Sequence, residues 1–236
     1  MKVGVFIPTI PVHWKHVPGI VAEYLKGYVK PDRIAVLLSR SNDVPVGDRM
    51  RFKTSCDPSV QLYESPAPLN TGAARQQALH LLKDCDVISY QDSDDLPHWD
   101  RIKVIREIFE SNPDALVLHH SYHYAKSWQG PIYKDRITEY KTHTGDWLYE
   151  QYFPNGKIEE CISHFAFGDV MGFPVHAGVS SIKREVLEEV PWKIPSKMKI
   201  APEPKAKTED YEFSMECLFK YKARHLITDA RIYLYR

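Results

Sequence analysis

The run VGVFI, from Val3 to Ile7, is apolar at every position and closes on Pro8. A strand that is apolar throughout, rather than at every second residue, is buried on both faces, so the chain needs a sheet with helices on either side. Ile34 to Leu38 is a second buried strand, and Val60 to Tyr63, Val87 to Tyr90 and Leu116 to His119 are further strand candidates. Between the first two, Val17, Ile20, Val21, Tyr24, Leu25 and Tyr28 recur at helical spacing, and Pro31 ends the segment. Asn70 and Thr71 are placed to cap a helix running to Lys83, and Pro97 to open one running to Glu110. Ser181 to Val190 and Glu209 to Tyr221 read as two more helices, the second with Phe213, Cys217 and Leu218 on one face. Ser39 to Asp48 reads as loop, and residues 193–207, with five lysines and three prolines, as a mobile loop. Strands alternating with helices predict an open α/β sheet with crossover connections, whose ligands bind at the carboxyl ends of the strands.

Bulk properties narrow the function. The 236 residues are 43% hydrophobic and 26% charged, as in a globular protein with a sizeable core. A formal net charge of zero gives no global attraction to nucleic acid or to an anionic membrane, so an anionic ligand has to be bound by local arrangement. Cys56, Cys85, Cys161 and Cys217 are widely spaced and form no CxxC pair, which favours a reducing compartment over a zinc site or disulfide framework. No apolar run approaches the roughly 20 residues needed to span a bilayer, and the prolines at 8 and 11 break the N-terminal run too early for a signal peptide. The expectation is a soluble, cytoplasmic protein. The closing ARIYLYR still reads as strand, as expected of the N-terminal domain of a longer protein.

Three candidate motifs follow strands: PTIP at the first, SRSND at the second, and DSDD after Val87 to Tyr90. The last places Asp92, Asp94 and Asp95 within four positions. Such a cluster suits Mg²⁺ or Mn²⁺, which take oxygen ligands and let phosphates complete the shell. It equally suits a solvated acidic loop or a helix N-cap. In NTGAARQQAL, Arg75 stands at a loop-to-helix transition, where a guanidinium pairs with phosphate or lies on an ordinary amphipathic surface. KTEDYEFSMECL adds Glu209 and Asp210 behind the lysine-rich loop, as caps or as a general base. His119, His120 and His123 do not read as a metal triad, because His119 and His120 point to opposite faces of a strand. The nine aromatics from Tyr122 to Phe153 read mainly as core, with Trp128 and Trp147 the candidates for an exposed sugar platform.

Taken in order, these stretches resemble the nucleotide-sugar glycosyltransferases of the GT-A fold, most closely the inverting family 2 type. VFIPTIP is similar to that family's opening strand and Pro-Thr turn, and NTGAARQQAL to its Gly…Ala-Arg-Asn helix, with Gln76 where Asn is usual. VISYQDSDDLPHWDRI resembles the DxD strand, loop and helix, and HAGVSSIKREVLEEV the Gly…Arg-Arg-Glu stretch. TEDYEFSMECLF resembles the Glu-Asp motif, and RIYLYR the closing Tyr-Arg strand.

The resemblance implies a single GT-A domain over 1–236, with a Rossmann-like, mostly parallel sheet and a smaller acceptor-side sheet region. Residues 1–112 would bind the nucleotide sugar and 113–236 the acceptor. It implies that Pro8, Thr9, Ile10, Ser39, Arg75, Asp92, Ser93, His176 and Gly178 line the donor site. Asp94, with Asp92 and Asp95, would hold Mn²⁺ or Mg²⁺, Asp210 would be the general base, and Glu209 would orient the acceptor or that base. At Ser39, in LLSRSND, the family usually has an Asp that reads the base. A hydroxyl donates or accepts, which leaves UDP-sugar as the first expectation and GDP-sugar as the second. The acceptor would be a glycan or glycoconjugate hydroxyl. Two alternatives stand: a sugar nucleotidyltransferase, for which PTIPVHWKH lacks a glycine-rich phosphate loop, and a noncatalytic carbohydrate-binding module derived from a transferase, which Glu209 and Asp210 disfavour.

Overall fold

In a computed structural model, described over residues 1–124, 136–146, 177–192 and 208–235, the expected strands form one sheet, with the fully apolar runs at residues 3–7 and 34–38 inside it and the half-buried Val60–Ser65 at its edge. Strands β1 (Val3–Thr9), β2 (Arg33–Ser39), β3 (Val60–Ser65) and β4 (Val87–Tyr90) lie parallel in the order β3-β2-β1-β4. Next come β8 (Ser180–Lys183), antiparallel to β4, then β6 (Val117–Tyr124) and, parallel to it, β9 (His225–Tyr235). The two-residue β5 (Leu96–Pro97) and β7 (Thr142–Thr144) both pair antiparallel with β9. Six of these nine strands therefore run one way, the mixed but mainly parallel pattern expected of the fold.

Side chains alternate between two cores. Val3, Val5 and Ile7 of β1 face one, together with Ile34, Val36 and Leu38 of β2. That core is covered by α1 (Val17–Lys26) and α5 (Arg101–Ser111), with Phe52 from α2 (Val46–Ser55). Phe6, Ala35, Leu37, Ile88 and Tyr90 face the other, covered by α3 (Thr71–Gln76), α4 (Ala78–Leu81), α6 (Val186–Glu189) and α7 (Thr208–Tyr221). Burial on both faces is what makes β1 and β2 apolar throughout. Phe213, Cys217 and Leu218 of α7 are buried together, as its periodicity predicts.

Several boundaries differ from the expectation. Asn70 does cap α3, its Oδ1 accepting from the Ala73 N–H at 2.7 Å, but the helix is interrupted at Gln77. Pro97 does not open a helix: Leu96–Pro97 pair with Leu234 and Tyr233, and α5 begins at Arg101. Ser181 to Val190 is not one helix. Its first half is β8, whose Ser180 and Ser181 are fully buried between β4 and β6, and only Val186–Glu189 is helical. The loop expected up to Asp48 already contains the first turn of α2, a helix the sequence hides because only Phe52 on it is buried. The lysine-rich segment 193–207, Trp128 and Trp147 lie outside the described residues. No helix among the described residues is long and apolar enough to cross a membrane.

Candidate active site

The carboxyl ends of β1, β2 and β4 bring three of the sequence motifs to one edge of the sheet. Thr9, at the end of β1, is buried, its hydroxyl donating to the Ile10 carbonyl at 3.3 Å, and Ile10 is exposed. Pro8 is half-buried beside them. At the end of β2, Ser39 is buried and its Oγ accepts from the Leu69 N–H at 2.8 Å, so this hydroxyl anchors the loop ahead of α3. Arg40 follows with φ of 57°, a left-handed turn that ends the strand.

Beyond β4 the acidic residues separate. Asp95 N–H donates to the Asp92 carbonyl at 3.4 Å, closing a turn with Ser93 and Asp94 at its corner. Asp94 projects to solvent, its side chain 52% exposed and 3.9 Å from His13 Nδ1. Asp95 turns inward and is only 2% exposed. Its Oδ2 accepts from the Tyr233 hydroxyl at 2.8 Å. That same phenol accepts from the Asp92 N–H at 3.2 Å. Burial, reinforced by the charges of Asp92 and Asp95, holds the Tyr233 phenol well above its ordinary pKa, so it stays a donor.

Arg75 is not a surface residue: its side chain is 2% exposed. One guanidinium nitrogen donates to Asp92 Oδ1 at 3.0 Å and the other to Asp210 Oδ1, so one buried cation joins the β4 turn to the first turn of α7. It lies 5.1 Å over the Trp192 ring, which stacks on Phe213 at 3.9 Å between centroids. Trp192 Nε1 donates to the Tyr90 hydroxyl at 2.8 Å, and that hydroxyl donates to the Arg75 carbonyl at 3.3 Å. Gln76 donates to the Leu187 carbonyl and accepts from the Trp192 N–H, tying α3 to α6. Breaking a buried pair of this kind leaves an uncompensated charge, costing about 3–5 kcal/mol.

Behind the turn, Arg101 is fully buried. It donates to Gln91 Oε1 at 2.7 Å, to the Tyr90 carbonyl at 2.6 Å and to the Gly178 carbonyl at 2.7 Å, and lies 4.9 Å over the Tyr233 ring. Gly178 is buried against Tyr233 and Asp92. Sequence reasoning missed Trp192, Tyr233 and Arg101. An apolar neighbourhood around the aromatics and a lone Arg at a helix start gave no chemical signal, although the Arg101 position belonged to the resembled motif.

His176 lies outside the described residues, as does the side chain of Glu209, whose backbone is in the first turn of α7. His119 and His120 take different partners, as their strand positions predict. His119 contacts His225 Nε2 at 2.7 Å and Ser214 Oγ at 3.1 Å, while the His120 ring sits 5.9 Å from that of Tyr233.

The donor set bears on a cation. Among the described residues, no group of three or more His, Cys, Asp or Glu is placed to hold a metal ion. Asp95 is engaged by Tyr233 and Asp92 by Arg75, which leaves Asp94 as the exposed carboxylate of the turn. One such carboxylate fits a hard cation whose shell is completed by phosphate oxygens and water.

No protein-family model matches the chain, and no curated protein is similar to it in sequence. Solved structures are similar in fold. S. aureus TarS 1-349 is 15% identical with a TM-score of 0.65 over 99% of this chain and 60% of that one. The same protein in complex with UDP-GlcNAc gives 14% and 0.67 over 100% and 58%. The glucosyl-3-phosphoglycerate synthase of Mycobacterium tuberculosis, in complex with Mn²⁺, UDP and glucosyl-3-phosphoglycerate, gives 13% and 0.60 over 100% and 72%. The chain thus spans about 60% of the length of the TarS 1-349 structure. Strand order and these likenesses agree: the chain has the GT-A fold.

Proposed function

We propose that the protein is a metal-dependent, inverting glycosyltransferase. It would move a sugar from a nucleoside-diphosphate sugar, UDP before GDP, to a hydroxyl of a glycan or glycoconjugate. The observation that carries this reading is the Arg75 bridge, whose two terminal guanidinium nitrogens hold Asp92 of the β4 turn and Asp210 of α7. A donor-side and an acceptor-side carboxylate are thereby held at a fixed separation, as a displacement on one carbon requires. The UDP-sugar, UDP and Mn²⁺ of the similar structures support the choice of donor and metal.

In this reading the ends of β1 and β2, with Pro8, Thr9, Ile10 and Ser39, receive the nucleoside, and Asp92 and Ser93 the ribose. Asp94 would hold Mn²⁺ or Mg²⁺, which offsets charge on the leaving diphosphate. Asp210 engages Arg75 through Oδ1, and its Oδ2 would take the proton of the acceptor hydroxyl. Arg75 and Trp192 keep that carboxylate oriented, and Glu209 orients the acceptor. Residues 1–112 would supply the donor side and 113–236 the acceptor side.

The test is a screen of nucleotide sugars with Mn²⁺, scoring released nucleoside diphosphate. Wild-type protein should release it from a UDP-sugar. Asp210→Asn should keep UDP affinity within about threefold and lose turnover by at least about 10²-fold. Turnover retained by that variant would remove Asp210 as the base. Incorporation of nucleotide into pyrophosphate-linked product would instead mark a nucleotidyltransferase.

A further inference from the structure

One phenol pins both ends of the acidic turn. Tyr233 accepts from the Asp92 backbone N–H and donates to the Asp95 carboxylate, so the residues flanking Ser93 and Asp94 converge on a single buried oxygen. The phenol is itself fixed. Pro97 and Leu96, immediately after the turn, are paired with Tyr233 and Leu234 in the sheet. Arg101 lies against the Tyr233 ring and donates to the carbonyls of Tyr90, just before the turn, and of Gly178. Gln91 completes the unit, accepting from Arg101 and from the Tyr24 hydroxyl and donating to the Asp92 carbonyl at 2.9 Å. Each part sits behind the turn, and Asp94 is the carboxylate left projecting to solvent.

We propose that Tyr233 and Arg101 are positioning residues for donor binding, and that Asp95 is the anchor of this brace rather than a ligand of the cation. The inference rests on the proposed function and deepens it. A turn free to rearrange would have to be ordered each time diphosphate bound; a turn fixed by Tyr233 presents Asp94 in place. The phenol's donated bond needs an oxygen at position 95, not a charge.

Calorimetric titration of UDP in the presence of Mn²⁺, with Mn²⁺ binding followed by electron paramagnetic resonance, separates the roles. Tyr233→Phe keeps the ring and removes only the hydroxyl. It should weaken Mn²⁺-dependent UDP binding on the order of tenfold, from a lost buried hydrogen bond. Asp95→Ala should do the same, whereas Asp95→Asn, which still offers an oxygen, should restore affinity to within about threefold of wild type. Asp94→Asn should lose the Mn²⁺ response altogether.

A purely structural role would lower the melting temperature of Tyr233→Phe and leave the affinity of the folded protein unchanged; that result overturns the proposal. So does an Asp95→Asn variant that loses Mn²⁺ as completely as Asp94→Asn, since Asp95 would then be a ligand. If Tyr233→Phe does not fold, the two Asp95 variants decide the matter alone. Wild-type protein that binds no UDP with Mn²⁺ overturns the proposed function itself, and this inference with it.

Discussion

At Gly178 a hydrogen atom stands where any other residue would put a carbon 2.2 Å from the Tyr233 hydroxyl and 2.7 Å from Asp92 Oδ2. Neither neighbour can give way cheaply, because one is pinned to the acidic turn and the other to Arg75. Gly178→Ala should therefore destabilise by about 1–3 kcal/mol, a fall of several degrees in Tm, and weaken nucleotide binding as Asp92 is displaced. An unchanged Tm by calorimetry would show that the close approach is not a constraint. The order of residue types in the sequence marks this glycine, Asp92, Asp94 and Asp210 as candidates for the site. Which of the carboxylates is buried and which projects to solvent is not marked there. Whether Asp95 faces solvent or protein depends on Tyr233, which is 138 residues away and becomes its neighbour only through the pairing of β5 with β9. Arg75 is the same case: nothing local distinguishes a surface arginine from one buried between Asp92 and Asp210.

At the scale of elements, doubly buried strands and the amphipathic helices α1, α5 and α7 were read from periodicity, and segments lacking it were misread. β8 carries serines and a lysine, so SSIKREVLEEV resembles a helix until β4 and β6 are on either side of it. The junction of β6, β8, β9 and α7 is itself polar. His119 and His225 stack at 4.8 Å, with Ser180 and Ser214 on His119. Burial, and then the neighbouring His119, push the His225 pKa well below its ordinary 6.5. In the unfolded chain the ordinary value returns, so below about pH 6.5 the unfolded state binds the extra proton. Stability is then fully present above that pH and is lost as pH falls toward the depressed native value. Tm should decline between pH 7 and 5.5, and His225→Gln should flatten that decline. Equal slopes for the two proteins, measured by calorimetry across that range, would show that the pair does not titrate on unfolding.

Over the whole molecule, the sheet order β3-β2-β1-β4-β8-β6-β9-β5 explains why residues far apart in sequence meet at one edge. The parallel strands deliver the Pro-Thr turn, Ser39 and the acidic turn, while β9, beyond β8 and β6, carries Tyr233 to the acidic turn through its pairing with β5, and α7 packs across the second core with Asp210. Order of motifs was enough to expect this architecture; the polar brace beneath it had no local signature, since it is made of cross-strand contacts. In the proposed function this edge holds a nucleoside diphosphate through a cation on Asp94. Thermal unfolding with UDP, with and without Mn²⁺, is the decisive measurement. At a ligand concentration about 100 times Kd, binding adds about 2.7 kcal/mol, roughly 5–10 °C in Tm for a chain of this size. Wild-type protein should show that shift only when UDP and Mn²⁺ are both present, and Asp94→Ala should lose it. A shift of the same size in Asp94→Ala, or with UDP alone, would contradict the proposed function.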